Sequence, residues 1–403
     1  MKVDDFVKNF VFISPNFPTN YWHFCQELRN NGLRVLGIGD CPYDELVPEL
    51  RSALHEYYKV SSLENYDEVY RAVAFFIHKY GRIDYLESNN EYWLMQDASL
   101  RTDFNIPTGF QAADMEPMKL KSAMKAYYAR AGVPAARYHL VEGWDDAYAF
   151  VQKVGYPVVA KPDNGVGANN TYKIKREEDL RHFIETKDDN VYIMEEFVRG
   201  YVQTYDAIIN SKGEPVFESG NITPNSCMDI VNDGSECLYF IVKDMPDAIR
   251  KAGRAVVAEY GVKSRFVHFE FFVLTEDQEG LGKRGDVIGL EVNMRPSGGY
   301  TPEMYNYACE TDVYKIWADM IAFDCNTLPT DRPRHFGAFI GRRNYRNYKM
   351  NHHDILAKYG HCLKMHSQVP DALSALMANY MYLCNFDTEE EMWQYYHELC
   401  ESY

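Results

Sequence analysis

The sequence predicts an α/β (α+β) chain of several lobes, opened by a Rossmann-like parallel sheet. Three observations lead there. Over the first hundred or so residues short apolar runs alternate with helical stretches, and a second set of strands and helices begins near position 119. Two further segments, Arg265–Val273 and Gly289–Arg295, place polar residues at every second position. At 403 residues the chain is also too long for one core, and two to four lobes are expected.

In the first lobe Asn9–Ser14 reads as a strand, Tyr21–Asn31 as a helix stopped by Gly32, and Arg34–Gly39 as a second strand. A helix over Tyr66–Tyr80 ends at Gly81, and Asp84–Ser88 is a third strand. Strands alternating with helices imply a parallel sheet. The first strand-to-helix turn, Ser14-Pro-Asn-Phe-Pro18, lacks the G-x-G-x-x-G of a dinucleotide site. That pattern does occur at Gly280, Gly282 and Gly285, but no strand leads into it and no helix follows, so a hairpin loop is expected.

The middle reads as helices over Lys119–Ala131, Asp145–Val154 and Glu177–Thr186, with strands at Pro157–Lys161, Thr171–Ile174 and Val191–Phe197. From Phe336 onward strands and helices mix, including helices at Asn351–Tyr359 and Glu389–Cys400. No internal repeat or low-complexity segment interrupts them.

Composition narrows the function. A formal net charge of -17 argues against a sequence-independent grip on nucleic acid, which needs lysine and arginine against phosphate. The N-terminus has no uninterrupted apolar stretch to make a signal peptide, and no apolar run is long enough to span a membrane. Nine scattered cysteines without a C-x-x-C pair read as reduced thiols, hence a cytoplasmic location.

Successive side chains of a strand point to opposite faces, so Glu291, Asn293 and Arg295 share one face, as do His268 and Glu270 on the neighbouring strand. Hard oxygen ligands of this kind suit a magnesium ion carrying phosphates, and an arginine beside them suits charge on a transferring phosphoryl or acyl group. A solvated face of salt bridges would read the same way. Lys161 ends an apolar strand just before a loop containing Gly165 and Gly167, whose backbone N–H groups can approach an anion, although an ordinary hairpin looks identical. Lys121 opens its helix against the helix dipole, which favours a negatively charged partner.

These elements fall in one order: Lys121 with Gly132-Val-Pro after it, the Lys161 loop, Met194-Glu195-Glu196-Phe197-Val198, Glu270, and Glu291-Val-Asn293-Met-Arg295. In that order the whole chain resembles the ATP-grasp superfamily of carboxylate–amine (or thiol) ligases, and amino-acid ligase-like members above all. The resemblance implies a pre-ATP-grasp lobe over 1–118, an ATP-grasp domain over 119–329 with a lid at about 122–195, and a small C-terminal α+β lobe over 330–403. It also implies that ATP and Mg2+ (with Mn2+ an option) are the cofactors. Lys121 and Lys161 would meet the α- and β-phosphates, and Gly165, Gly167 and Ala168 belong to the lid loop. Glu195, Glu196, Phe197 and Val198 would form the adenine hinge, while Glu270, Glu291 and Asn293 would hold the metal. Arg295 would neutralise the transferring phosphoryl group, with Lys161 and His268 beside it. Many members bind ribose through a glutamate two residues after the hinge-strand glycine. Here Gly200 is followed by Tyr201 and Val202, which leaves Gln203 or Asp206 to make that contact.

The reaction so implied activates a carboxylate as an acyl phosphate, which an amine then attacks. The expected partners are a small-molecule carboxylate, plausibly an amino acid, and an amine, without nucleic acid or membrane; a homodimer is left open. Activation of bicarbonate and a nucleotide-binding regulator without turnover are the alternatives. Substrate contacts are open at Ser297–Tyr300 and at Asn90 or Glu91, and His268 reads equally as a base or a structural histidine. His352, His353, His361 and His366 match no zinc spacing and read as solvated.

Overall fold

The computed structural model describes residues 7–165, 170–224 and 236–403, and every structural statement below concerns those residues. The first sheet is parallel, in the order β3-β2-β1-β4, and is built from β1 (Asn9–Ile13), β2 (Arg34–Gly39), β3 (Glu56–Lys59) and β4 (Tyr85–Glu87). Every residue of β1 is buried, as the apolar run Asn-Phe-Val-Phe-Ile demands of a central strand covered on both faces. The edge strand β3, Glu-Tyr-Tyr-Lys, has no apolar run and was not legible in the sequence.

A second sheet is antiparallel, in the order β5-β8-β6-β7: β5 (Tyr138–Val141), β6 (Val158–Pro162), β7 (Tyr172–Ile174) and β8 (Tyr192–Glu196). The helices Trp144–Val154 and Glu177–Thr186 enclose a core of its own around Val151, Val158, Leu180, Phe183 and Met194.

The third sheet holds nine strands among the described residues: β9 (Gly200–Ile209), β10 (Pro215–Ser219), β11 (Asn221–Thr223), β12 (Cys237–Ile241), β13 (Arg265–Leu274), β14 (Val287–Asn293), β15 (Phe336–Arg342), β16 (Leu363–Gln368) and β17 (Tyr380–Phe386). Its order is β14-β13-β9-β11-β12-β15-β17-β16, with β10 on β9. β15, β16 and β17 therefore extend the sheet that carries β13 and β14. The glycine-rich stretch at 280–285 is the β13–β14 hairpin, where Gln278 N–H donates to Gly282 O at 2.9 Å.

One close approach positions the site. A Cβ on Gly289 of β14 would lie 2.5 Å from the Tyr128 ring, so only glycine lets the helix Lys121–Arg130 rest against β14 at that point. Lys121, two turns earlier on that helix, comes to lie beside Glu291. No helix among the described residues is long and apolar enough to cross a membrane.

Candidate active site

Register sets the acidic face. His268 of β13 pairs with Asn293 of β14 and Glu270 with Glu291, and a bulge follows between Glu270 and Phe271. On the other side of β13, Glu270 lies opposite Thr204 and His268 opposite Asp206 of β9. Like charges directly across a strand pair repel. Cations relieve this pair: Lys121 Nζ lies 3.0 Å from Glu291 Oε1, and His268 Nε2 lies 3.2 Å from Glu270 Oε1. The other ring nitrogen of His268 lies 2.7 Å from Asp206 Oδ1. Burial disfavours the imidazolium, but Asp206 and Glu270 more than offset it and hold the ring's pKa at about 9. Burial likewise opposes ionisation of Glu270, and His268, then Arg295 and Lys161, keep its pKa below the usual carboxylate value.

Three lysines face these acids. Lys121 Nζ donates to Gly165 O at 2.7 Å as well as meeting Glu291. Asp163 secures the start of its helix, accepting from Ser122 N–H and Ser122 Oγ–H at 2.7 Å each, while its carbonyl accepts from Lys121 N–H at 3.0 Å. This carboxylate favours the helix N-terminus that the lysine opposes. Lys161 Nζ lies 2.5 Å from Glu195 Oε2, and Lys125, one turn beyond Lys121, pairs with Glu195 Oε1. Burial works against the Glu195 carboxylate, yet Lys125 and Lys161 pull its pKa down to about 2. Lys125 carries no role in the sequence, where it looks like any solvated helical lysine, and Asp206, open there as a ribose contact, lies against His268.

The Glu195–Val198 segment runs out of the end of β8. The Glu195 side chain turns to the lysines, whereas Glu196 accepts from Arg137 N–H at 2.7 Å and Arg137 Nη2–H at 2.6 Å. The Phe197 carbonyl accepts from Gln278 Nε2–H at 3.0 Å, and Val198 packs beside Leu274 and Ile288. Gln203, expected to meet ribose, lies off the acidic face. Strand alternation puts it on the face of Tyr205, opposite Thr204 and Asp206, and it is 1% exposed with Nε2 unbonded. Gly165 ends the described part of the loop after Lys161; Gly167 and Ala168 lie outside the described residues.

Arg295 closes the far end. Its Nη1–H donates to Pro296 O at 2.8 Å and its Nη2–H to Asn293 Oδ1 at 3.3 Å. Glu91 from the first lobe lies 3.5 Å from Arg295 Nε and 2.8 Å from Lys119 Nζ. Ser297–Gly299 forms a turn into the helix Thr301–Ala308. His352 and His366 meet at 5.3 Å between ring centroids, each held by a tyrosine hydroxyl on the last strands.

No group of three or more His, Cys, Asp or Glu side chains among the described residues is arranged to hold a metal. The donors at Glu270, Glu291 and Asn293 are nonetheless those a magnesium ion takes, since it binds through one or two carboxylates and completes its shell with water and substrate phosphate. The residues present fit such an ion in company with a nucleotide.

No family model matches the chain. Among curated proteins, a stretch of 107 residues is 34% identical to an L-arginine-specific L-amino acid ligase of Bacillus subtilis, covering 26% of this chain and 25% of that one. A stretch of 234 residues is 26% identical to a carbamoyl phosphate synthase large chain of Kineococcus radiotolerans, covering 54% and 20%. The matched stretches thus span a quarter and a fifth of these relatives. Solved structures match over nearly the full length. The L-amino acid ligase from Bacillus licheniformis superposes with a TM-score of 0.71 at 16% identity, over 97% of this chain and 96% of that one. The chain has the ATP-grasp fold. Other ATP-grasp neighbours include the N5-carboxyaminoimidazole synthetase from Staphylococcus aureus complexed with ADP (TM-score 0.70, 14% identity, 98% and 97% covered). The biotin carboxylase domain dimer of Hydrogenobacter thermophilus 2-oxoglutarate carboxylase, complexed with MgADP and bicarbonate, superposes at 0.65 with 13% identity over 97% and 89%.

Proposed function

We propose that the chain is an ATP-dependent carboxylate–amine ligase that activates a small carboxylate, an amino acid in the favoured case, as an acyl phosphate and joins it to an amine. The observation that carries this is the facing pair Glu270 and Glu291, with Asn293 on the same face and Lys121, Lys161 and Arg295 around them. Residues 1–118, 119–329 and 330–403 would act as the first lobe, the nucleotide-binding domain and a C-terminal lobe.

Four carboxylates (Asp206, Glu195, Glu270 and Glu291) and four cations (Lys121, Lys125, Lys161 and His268) neutralise each other here. A magnesium nucleotide brings both kinds of replacement partner at once: anionic phosphate for the lysines and a cation for the glutamates. Bound at Glu270, Glu291 and Asn293, magnesium would supply charge neutralisation for the phosphates. Lys121 and Lys161 then hold the phosphate oxygens. The acceptor carboxylate oxygen attacks the γ-phosphorus, the bond to the bridging oxygen breaks, and ADP leaves. Arg295 stabilises the charge that builds on the transferring group and then on the acyl phosphate. The amine next attacks the acyl carbon, phosphate departs, and the amine proton passes to solvent or phosphate. His268, with both ring nitrogens engaged by carboxylates, positions Glu270 and has no free lone pair with which to act as a base.

The similarity at 34% identity to an amino-acid ligase favours an amino-acid substrate, and the neighbour crystallised with bicarbonate supplies the second reading. The test is ADP release from Mg·ATP across amino acids and amino-acid pairs, with product mass read in parallel. ADP formed only with a carboxylate–amine pair, with a product lighter by one water than its parts, is expected. ADP formed with bicarbonate alone would replace this reading by the second.

A further inference from the structure

Glu195 is ion-paired with two ammonium groups, one on each oxygen: half-buried Lys161 from the adjacent strand β6 and buried Lys125 from the helix that also carries Lys121. Lys125 is 6% exposed and Glu195 5% exposed, so neither exchanges its partner for bulk water. Glu195 alone balances only one of the two, and the acidic face meets the remaining charge. Lys161 also feels Glu291 and Glu270, which together with Glu195 outweigh its burial and keep it charged. Burial dominates at Lys125 and lowers its pKa, with Glu195 opposing. Glu195 therefore holds two ammoniums of unequal standing, of which one also leans toward the acidic face.

We infer that Lys125 is a positioning residue for nucleotide binding: it keeps Glu195 neutralised while Lys161 leaves that carboxylate for the phosphates. The inference rests on the nucleotide reading above. A buried carboxylate stripped of its only cation is strongly unfavourable. With Lys125 in place, Lys161 departs from a carboxylate that stays paired. Without it, Glu195 holds Lys161 undivided, and every binding event must break that pair with nothing to replace it. Lys125 needs no contact with the ligand to act in this way.

The experiment is calorimetric titration of MgADP into the full chain and its variants. Lys125→Met, of similar length and no charge, should weaken binding on the order of tenfold to a hundredfold. Lys125→Arg should bind within a few-fold of wild type. The deciding variant is Lys125→Met with Glu195→Gln, because the amide no longer retains Lys161 and affinity should return toward wild type. A Lys125→Met protein that binds like wild type overturns the inference. A double variant as weak as Lys125→Met, with thermal melting showing both folded, also overturns it, since the lysine would then touch the ligand or merely support the fold. Failure of the wild-type chain to bind MgADP would instead overturn the nucleotide reading, and the exchange with it.

Discussion

Glu270 and Glu291 stand directly opposite each other on neighbouring antiparallel strands. Left alone, that pairing weakens the sheet, so its presence marks a place where a cation completes the structure. Replacing Glu291 by Gln removes one charge while leaving shape and hydrogen bonding to Lys121. Turnover should fall at least about a hundredfold, while MgADP affinity changes far less. Wild-type ADP release by this variant would sink the metal assignment.

Arg295 offers a second check. Lysine at that position keeps the charge but loses the planar fork now spread between Asn293 and Pro296. Arg295→Lys is expected to lower kcat on the order of a hundredfold with little change in the KM for ATP. Equal losses in both would place the residue in ground-state binding instead.

The stretches legible in the sequence were those where chemistry and period coincide. Glu291 and Asn293 alternate with Leu290 and Val292 within β14, and Arg295 follows just beyond the strand's end. The Lys161 loop and the helix from Lys121 could be placed through their glycine stops. Lys125 is not legible because a lysine four residues from another is usually a solvated pair, and only tertiary packing buries it. Gln203 stands one residue from Thr204, and on a strand one residue is the opposite face. Arg265, buried between Glu87 and the Met294 carbonyl, joins elements 178 residues apart in the chain, a separation that local pattern does not report.

That Arg265 is also a stability anchor. It is 2% exposed, donates to Glu87 Oε2 at 2.7 Å and to Met294 O at 3.1 Å, and so ties the first sheet to the end of β14. Glu87→Ala leaves the guanidinium buried without its counter-charge, and a loss of about 3–5 kcal/mol is expected. Urea unfolding monitored by circular dichroism measures it, and a loss below about 1 kcal/mol would mean that Asp97, Glu91 or water takes over as counter-charge.

Acid should act through Glu195. Its folded pKa of about 2 lies below the ordinary value of 4.5, so its ionised form stabilises the fold above the ordinary value. That contribution drains away as pH falls through the interval between the two. The urea midpoint of the wild type should therefore drop more steeply from about pH 5 to about pH 3 than that of Glu195→Gln, which has no proton to take up there. Parallel slopes would remove Glu195 from the acid response.

Phe10 and Phe12 of β1 meet Trp317 edge-on at 5.5 and 6.5 Å, within a single hydrophobic cluster that runs from the first sheet into the nine-stranded one. The sheet bearing Lys161 has a separate cluster. Heat or denaturant is expected to open the sheet bearing Lys161 separately from the nine-stranded one. Backbone amides of Val158–Pro162 should lose protection from hydrogen exchange through openings that leave those of Arg265–Leu274 untouched. Evolution can then retune how readily the sheet bearing Lys161 swings or frays without spending any of the stability that keeps the acidic strands in register.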